Sequence, residues 1–224
     1  MSQPVRYPSA SGRDVGGALS VPAGDAKAPA LVLIQEWWGL NDHMRAYADR
    51  FAAEGFVTLA VDLYDGAVAA DADEASHRMN HLDWPGALDH LAGAIAYLGA
   101  HPRSTGAVGV TGFCMGGALT LAAACSLPGI RAAAPFYGLP ASFDAAKVEA
   151  PILMHVANRD GWVTPAKAEA LAASLRAAGK QVSLHFYEAD HAFMNMARPE
   201  VYAAGCAAEA WARTTAFLHD KLGR

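Results

Sequence analysis

Short apolar runs, each bounded by Gly, Pro or a charge, recur along the chain: LVLIQEW at 31 to 37, FVTLAVDL at 56 to 63, AVGVTGFC at 107 to 114, IRAAAPFYG at 130 to 138, PILMHVA at 151 to 157 and QVSLHFYEA at 181 to 189. Most are apolar at successive positions, as strands covered by helices on both faces must be; the last alternates and suits a sheet edge. Between them, residues 42 to 54, 86 to 99, 116 to 126, 165 to 178 and 200 to 221 carry Ala, Leu and charges at helical spacing. Gly55 and Gly179 stand at C-terminal stop positions, and Thr164 before Pro165 reads as an N-cap followed by a first-turn proline. Strand and helix alternate from residue 31 onward. That order predicts a single α/β domain over 1 to 224, with right-handed crossovers, a doubly wound and mostly parallel sheet, helices on both faces, and an antiparallel start around 16 to 21. The irregular stretch 64 to 85 either arches over a site at the strand ends or forms an ordinary surface helix.

Composition narrows the class of protein. At 224 residues and 53% hydrophobic content the chain has enough apolar surface for one large core. The 17 basic and 22 acidic residues give a formal charge of -5, and no Lys/Arg block offers phosphate a landing surface, so no nucleic-acid partner is expected. The start lacks the apolar core of a signal peptide, and the most apolar later stretch is broken by Pro128 and Arg131. The reading is a cytoplasmic protein with no membrane partner. Cys114, Cys125 and Cys206 are odd in number and lie at no metal-like spacing, which argues against a disulfide framework or a zinc site. His77 and His81 are four apart, but Arg78 stands where a zinc protease motif has its Glu, so no metal is expected.

The segment GVTGFCMGGALTLAAA at 109 to 124 carries the chemistry. A buried strand ends at Gly112-Phe113, Cys114 stands at the turn, and Met115-Gly116-Gly117 opens a helix. A nucleophile elbow needs this strand, tight turn and helix, with small residues two before and two after the nucleophile. A thiol at a helix N-terminus is a chemically sensible nucleophile, because the helix end stabilises the thiolate. Such an elbow predicts an acid after a later strand and then a histidine after the last one. Asp160 in the loop ANRDGW and His191 in the loop ADHAF meet that order; Asp190 is a poorer orienter, since an adjacent side chain rarely points back at its neighbour's ring. His191 would take the thiol proton or stabilise the thiolate as imidazolium, and Asp160 would set its tautomer and orientation.

Glu36, at the carboxyl end of a central strand, needs a partner for a buried carboxylate: the Cys114 thiol, a salt bridge, or a cap on the helix starting near Asn41. The backbone N–H groups of Trp37 and Met115 are the natural oxyanion donors. Trp37, Trp38, Trp84, Trp162 and Tyr137 are candidates to line an apolar pocket. Two rival roles stay open: a redox sensor cycling Cys114 through sulfenic acid, and a non-catalytic binding module on the same fold. The first predicts peroxide-dependent turnover with thiols, the second affinity without turnover.

Taken together, QEWWGLN, VDLY, VGVTGFCMGGALT, FYG, the NRD loop and YEADHAF, in this order, resemble the dienelactone hydrolase (carboxymethylenebutenolidase) family of the α/β-hydrolase fold. The resemblance covers nearly the whole chain. It implies a cofactor-free cysteine hydrolase of small ester or lactone substrates with Cys114, Asp160 and His191 as triad, and it implies that Glu36 holds the resting thiol and helps its deprotonation when substrate arrives. The chain departs from the family where two arginines grip a substrate carboxylate: Asn195 stands at the later place and Ala72 at the earlier. Arg78 and Arg198 lie close enough in sequence to substitute. Arg78, Tyr137, Asn195 and Arg198 are therefore the candidate substrate-binding residues, and neutral esters are expected to rival the anionic dienelactone.

Overall fold

The computed structural model describes residues 1–223, which form one eight-stranded sheet with helices on both faces. In chain order the strands are β1 (Gln3–Pro8), β2 (Asp14–Ser20), β3 (Ala28–Ile34), β4 (Val57–Val61), β5 (Ser104–Phe113), β6 (Ile130–Phe136), β7 (Ile152–Ala157) and β8 (Val182–Tyr187). The helices are α1 (Asp42–Ala53), α2 (Ala72–Asn80), α3 (Trp84–Ala100), α4 (Met115–Ser126), α5 (Pro165–Ala177) and α6 (Ala204–Leu222). Across the sheet the order is β1-β2-β4-β3-β5-β6-β7-β8, with β3 to β8 parallel and β1 and β2 antiparallel. This is the doubly wound, mostly parallel arrangement that the apolar runs predict, and the alternating run 181 to 189 does sit at an edge.

Side-chain alternation explains how one strand serves two layers. In β3, Leu31 and Leu33 join Met44, Tyr47 and Phe51 of α1 and Leu218 of α6 on one face. Ala30, Val32 and Ile34 pack on the other face with Leu91 and Leu98 of α3 and Leu119 of α4. Each such fully buried aliphatic side chain contributes roughly 1.5–3 kcal/mol relative to exposure. The apolar run is continuous because both of its faces are covered. Asn41 caps α1 by accepting from Met44 N–H at 3.1 Å, and Thr164 caps α5 from Lys167 N–H at 3.4 Å.

Two features differ from the sequence reading, and a third resolves an alternative it left open. Strand β1, QPVRYP, was not foreseen because its two prolines interrupt the pattern; it survives as an edge strand, where a missing N–H is tolerated. The stretch 64 to 85, read either as an arch over a site or as a surface helix, forms α2, whose Met79 lines the same cavity as Cys114 together with Trp84 at the start of α3. The last helix begins at Ala204 rather than 200, because Ala203 N–H donates to the Phe193 carbonyl at 3.1 Å and ties residues 194 to 203 back as turns. Among the described residues, no helix is long and apolar enough to cross a membrane.

Candidate active site

Strand β5 delivers Cys114 directly into α4, and the turn is tight enough to force the cysteine to φ 56°, ψ -115°. A left-handed φ at a residue with a side chain costs on the order of 1–3 kcal/mol and persists only where the surroundings impose it. Here they do. Cys114 N–H donates to the Phe136 carbonyl at 3.1 Å, and Ala118 N–H donates to the Cys114 carbonyl at 3.1 Å. A Cβ on Gly112 would lie 2.5 Å from the Gly116 carbonyl oxygen, and one on Gly116 would run into the Ile34 carbonyl. The two glycines thus let α4 close onto β5 and β3. Four described non-glycine residues have positive φ, and three of them, Cys114, Tyr137 and Ala192, border the same site.

The loops after β7 and β8 bring Asp160 and His191 together. His191 Nδ1 lies 2.6 Å from Asp160 Oδ2, while Asp160 Oδ1 accepts from the N–H groups of Trp162 at 2.8 Å and Val163 at 2.9 Å. Burial pushes the Asp160 carboxyl up, but the His191 hydrogen bond and charge, with the two N–H donors, outweigh it and hold the group below its usual value. His191 Nε2 is buried and makes no hydrogen bond among the described residues. Its ring is clamped edge-on by Trp162 at 4.8 Å and Tyr137 at 5.1 Å. Asp190 instead takes the surface guanidinium of Arg159 at 3.1 Å.

Glu36, 3% exposed, sits in a recess shared with Cys114, His191 and Arg198. Its Oε2 accepts from Asn195 Nδ2 at 2.5 Å and its Oε1 from the Tyr137 hydroxyl at 3.4 Å. Burial lifts its pKa to about 7, against the Asn195 hydrogen bond, the His191 charge, the Tyr137 hydrogen bond and Arg198. Burial, and after it the Glu36 charge, lifts the Cys114 thiol to about 12, although the Met115 N–H directed at the sulfur opposes the rise. Both effects favour the neutral thiol over the thiolate. Among the described residues Glu36 makes no salt bridge, and the cap on α1 comes from Asn41 instead.

A cavity of about 340 Å³ opens over the sulfur, walled by Trp37, Met79, Trp84, Tyr137, Leu139 and Trp162, with Met115 and His191 beside Cys114. Four of the five aromatics singled out in the sequence line it; Trp38 belongs to the adjoining recess, where Arg198 lies 5.6 Å over its ring. The other candidate residues separate. Arg198 borders the recess while paired with Glu200 at 2.8 Å, Asn195 is directed at Glu36, and Arg78 pairs with Glu74 at 2.5 Å in a different cleft. Met79 and Leu139 escaped the sequence reading, because a lone apolar residue near a turn carries no mark of which cavity it faces.

A doubly wound sheet with a cysteine on the sharp strand-to-helix turn at its carboxyl edge, an acid after β7 and a histidine after β8 defines an α/β-hydrolase. The family model described as "Dienelactone hydrolase family" matches residues 15–222. The chain belongs to the dienelactone hydrolase family. It is 34% identical to Protein usf of Aquifex pyrophilus, over 99% of this chain and 100% of that one. It is 30% identical to the carboxymethylenebutenolidase of Pseudomonas putida, over 97% of this chain and 96% of that one. Among solved structures, a dienelactone hydrolase-like promiscuous phosphotriesterase from metagenomic libraries superposes with TM-score 0.88 at 24% identity, covering 100% and 99% of the two chains. The chain is accordingly an enzyme of the carboxylic ester and lactone hydrolase class.

Proposed function

We propose that this protein opens small esters or lactones through a thioester on Cys114, with His191 as proton carrier and Asp160 as its orienter. The observation that carries this reading is the convergence, on one apolar cavity, of a strained cysteine and a histidine whose Nδ1 is held by a buried carboxylate. In the first half-reaction Sγ attacks the substrate carbonyl carbon as the thiol proton passes to His191 Nε2, and the N–H groups of Met115 and Trp37 receive the oxyanion. Collapse breaks the bond to the alkoxide or enolate, which takes the proton from His191. In the second half-reaction water gives a proton to His191 and attacks the thioester, and departing sulfur recovers that proton.

Glu36 keeps the sulfur protonated until substrate arrives, because a thiolate beside a carboxylate would place two negative charges in a poorly solvated recess. The apolar walls favour neutral esters and lactones, with Arg198 as the nearest cation available to an anionic one. A panel of lactones and aryl esters, with Cys114→Ala as blank and rapid acid quench followed by mass spectrometry, tests the scheme. Wild type should show a burst and an acyl adduct on Cys114. Turnover that persists in Cys114→Ala, or an adduct elsewhere, overturns it.

A further inference from the structure

We infer that the enzyme accepts substrates with a medium-length apolar arm, which leaves the cavity over Cys114 and continues into a second cleft along α4. This rests on the proposed role of the first cavity as the substrate site. The second cleft has a volume of about 460 Å³ and includes Leu88, Ala122, Cys125 and Pro140 among its walls. Trp84 and Ala141 line both spaces, so the two adjoin across this pair.

Helix α4 runs beneath both. Ala118 faces the first cavity and Ala122, one turn further on, the second. Small side chains at these positions leave an open floor from the nucleophile outward. At 1.5 Å per residue, Ala122 lies about 12 Å along the helix direction from Cys114, beyond the reach of a simple lactone ring. Beyond the shared pair, the cleft is lined by the apolar Leu88, Ala122 and Pro140 and by the exposed Asp144 and Lys147, which are paired at 3.9 Å. An arm that is apolar along its length and free to end in water fits these walls.

The test uses two ester series, p-nitrophenyl esters from acetate to decanoate and acetates of increasing alcohol length, so that either side of the carbonyl can face Trp84. In one series kcat/KM should rise with length by at least about tenfold, since each buried methylene adds apolar contact. Ala122→Trp, which fills the cleft floor, should cut the long-to-short ratio of kcat/KM by about tenfold. Alkylating Cys125 with a bulky maleimide, its site verified by mass spectrometry, should do the same without a mutation. Because the readout is a ratio within one protein, a general loss of folded enzyme leaves it unmoved.

Binding of an octanoate ester to Cys114→Ala, with and without Ala122→Trp, supplies an arm that needs no turnover: tenfold weaker binding in the double variant is expected. A ratio within twofold of the parent in both blocked forms, or no gain with length in either series, overturns the inference. Cys114-independent turnover, with ligand binding still sensitive to position 122, overturns the thioester reading and leaves the cleft assignment standing.

Discussion

Two buried carboxylates lie around the Cys114 site, and their surroundings drive their proton affinities in opposite directions. Asp160 and Glu36 both follow parallel strands at the carboxyl edge of the sheet, and both lie under 5% exposed. Asp160 meets an imidazole and two backbone N–H groups, and its pKa falls. Glu36 meets an amide and a phenol, neutral donors that only partly replace water, and its pKa climbs to about 7. Glu36 lies the deeper of the two, and that depth, together with the charge and number of the donors that replace water, separates them. One carboxyl is thereby suited to holding an imidazole in place, the other to keeping a thiol neutral.

The comparison breaks most completely if the sulfur is removed. Cys114→Ala should lower ester turnover by roughly 10⁴-fold or more, as losses of a nucleophile do, with Tm unchanged in calorimetry. Next in size is Asp160→Asn, expected to reduce kcat by about 10³-fold by unfixing the His191 tautomer. Asp190→Asn should remain within about twofold of wild type, since its partner is Arg159. Equal damage from both substitutions would erase the distinction between the buried acid and the surface one.

The two acids also give opposite slopes of stability with pH. Asp160, with a lowered folded pKa, contributes stability that is present above its unfolded value and lost as pH falls. Glu36, raised from 4.5 to about 7, favours the fold in its protonated form, so stability is lost as pH rises from about 4.5 through 7. Between pH 5 and pH 8 the Glu36 loss should be about 2.5 kcal/mol, read from urea unfolding at the two values. Glu36→Gln should flatten that slope. A slope unchanged in Glu36→Gln means another group carries it.

The smallest expected effect sharpens the link to the thiol. Iodoacetamide should label Cys114 slowly at neutral pH, and Glu36→Gln should speed labelling by about tenfold while slowing turnover. Rapid wild-type labelling down to acidic pH, unchanged by the substitution, would indicate a permanent ion pair with His191 and confine Glu36 to a structural role.

Much of this architecture was legible in the residue pattern. Continuous apolar runs such as residues 31 to 34 mark strands covered on both sides, and Gly112 and Gly116 around Cys114 mark an elbow, because local sterics alone demand them. The order of Asp160 and His191 after their strands follows from the same connectivity. The sequence by itself therefore determined the layers, the turn and the edge of the sheet at which chemistry is possible, since these depend on periodicity and short-range geometry. Which partners face each other was decided by the tertiary structure. Arg78 and Arg198 were equivalent candidates until packing put one in a separate cleft with Glu74 and the other beside Glu36. Asn195 and Glu36 are 159 positions apart, yet their hydrogen bond helps set a buried proton's affinity. Such affinities depend on distance, burial and donor geometry across the sheet, quantities that do not exist until the chain has folded.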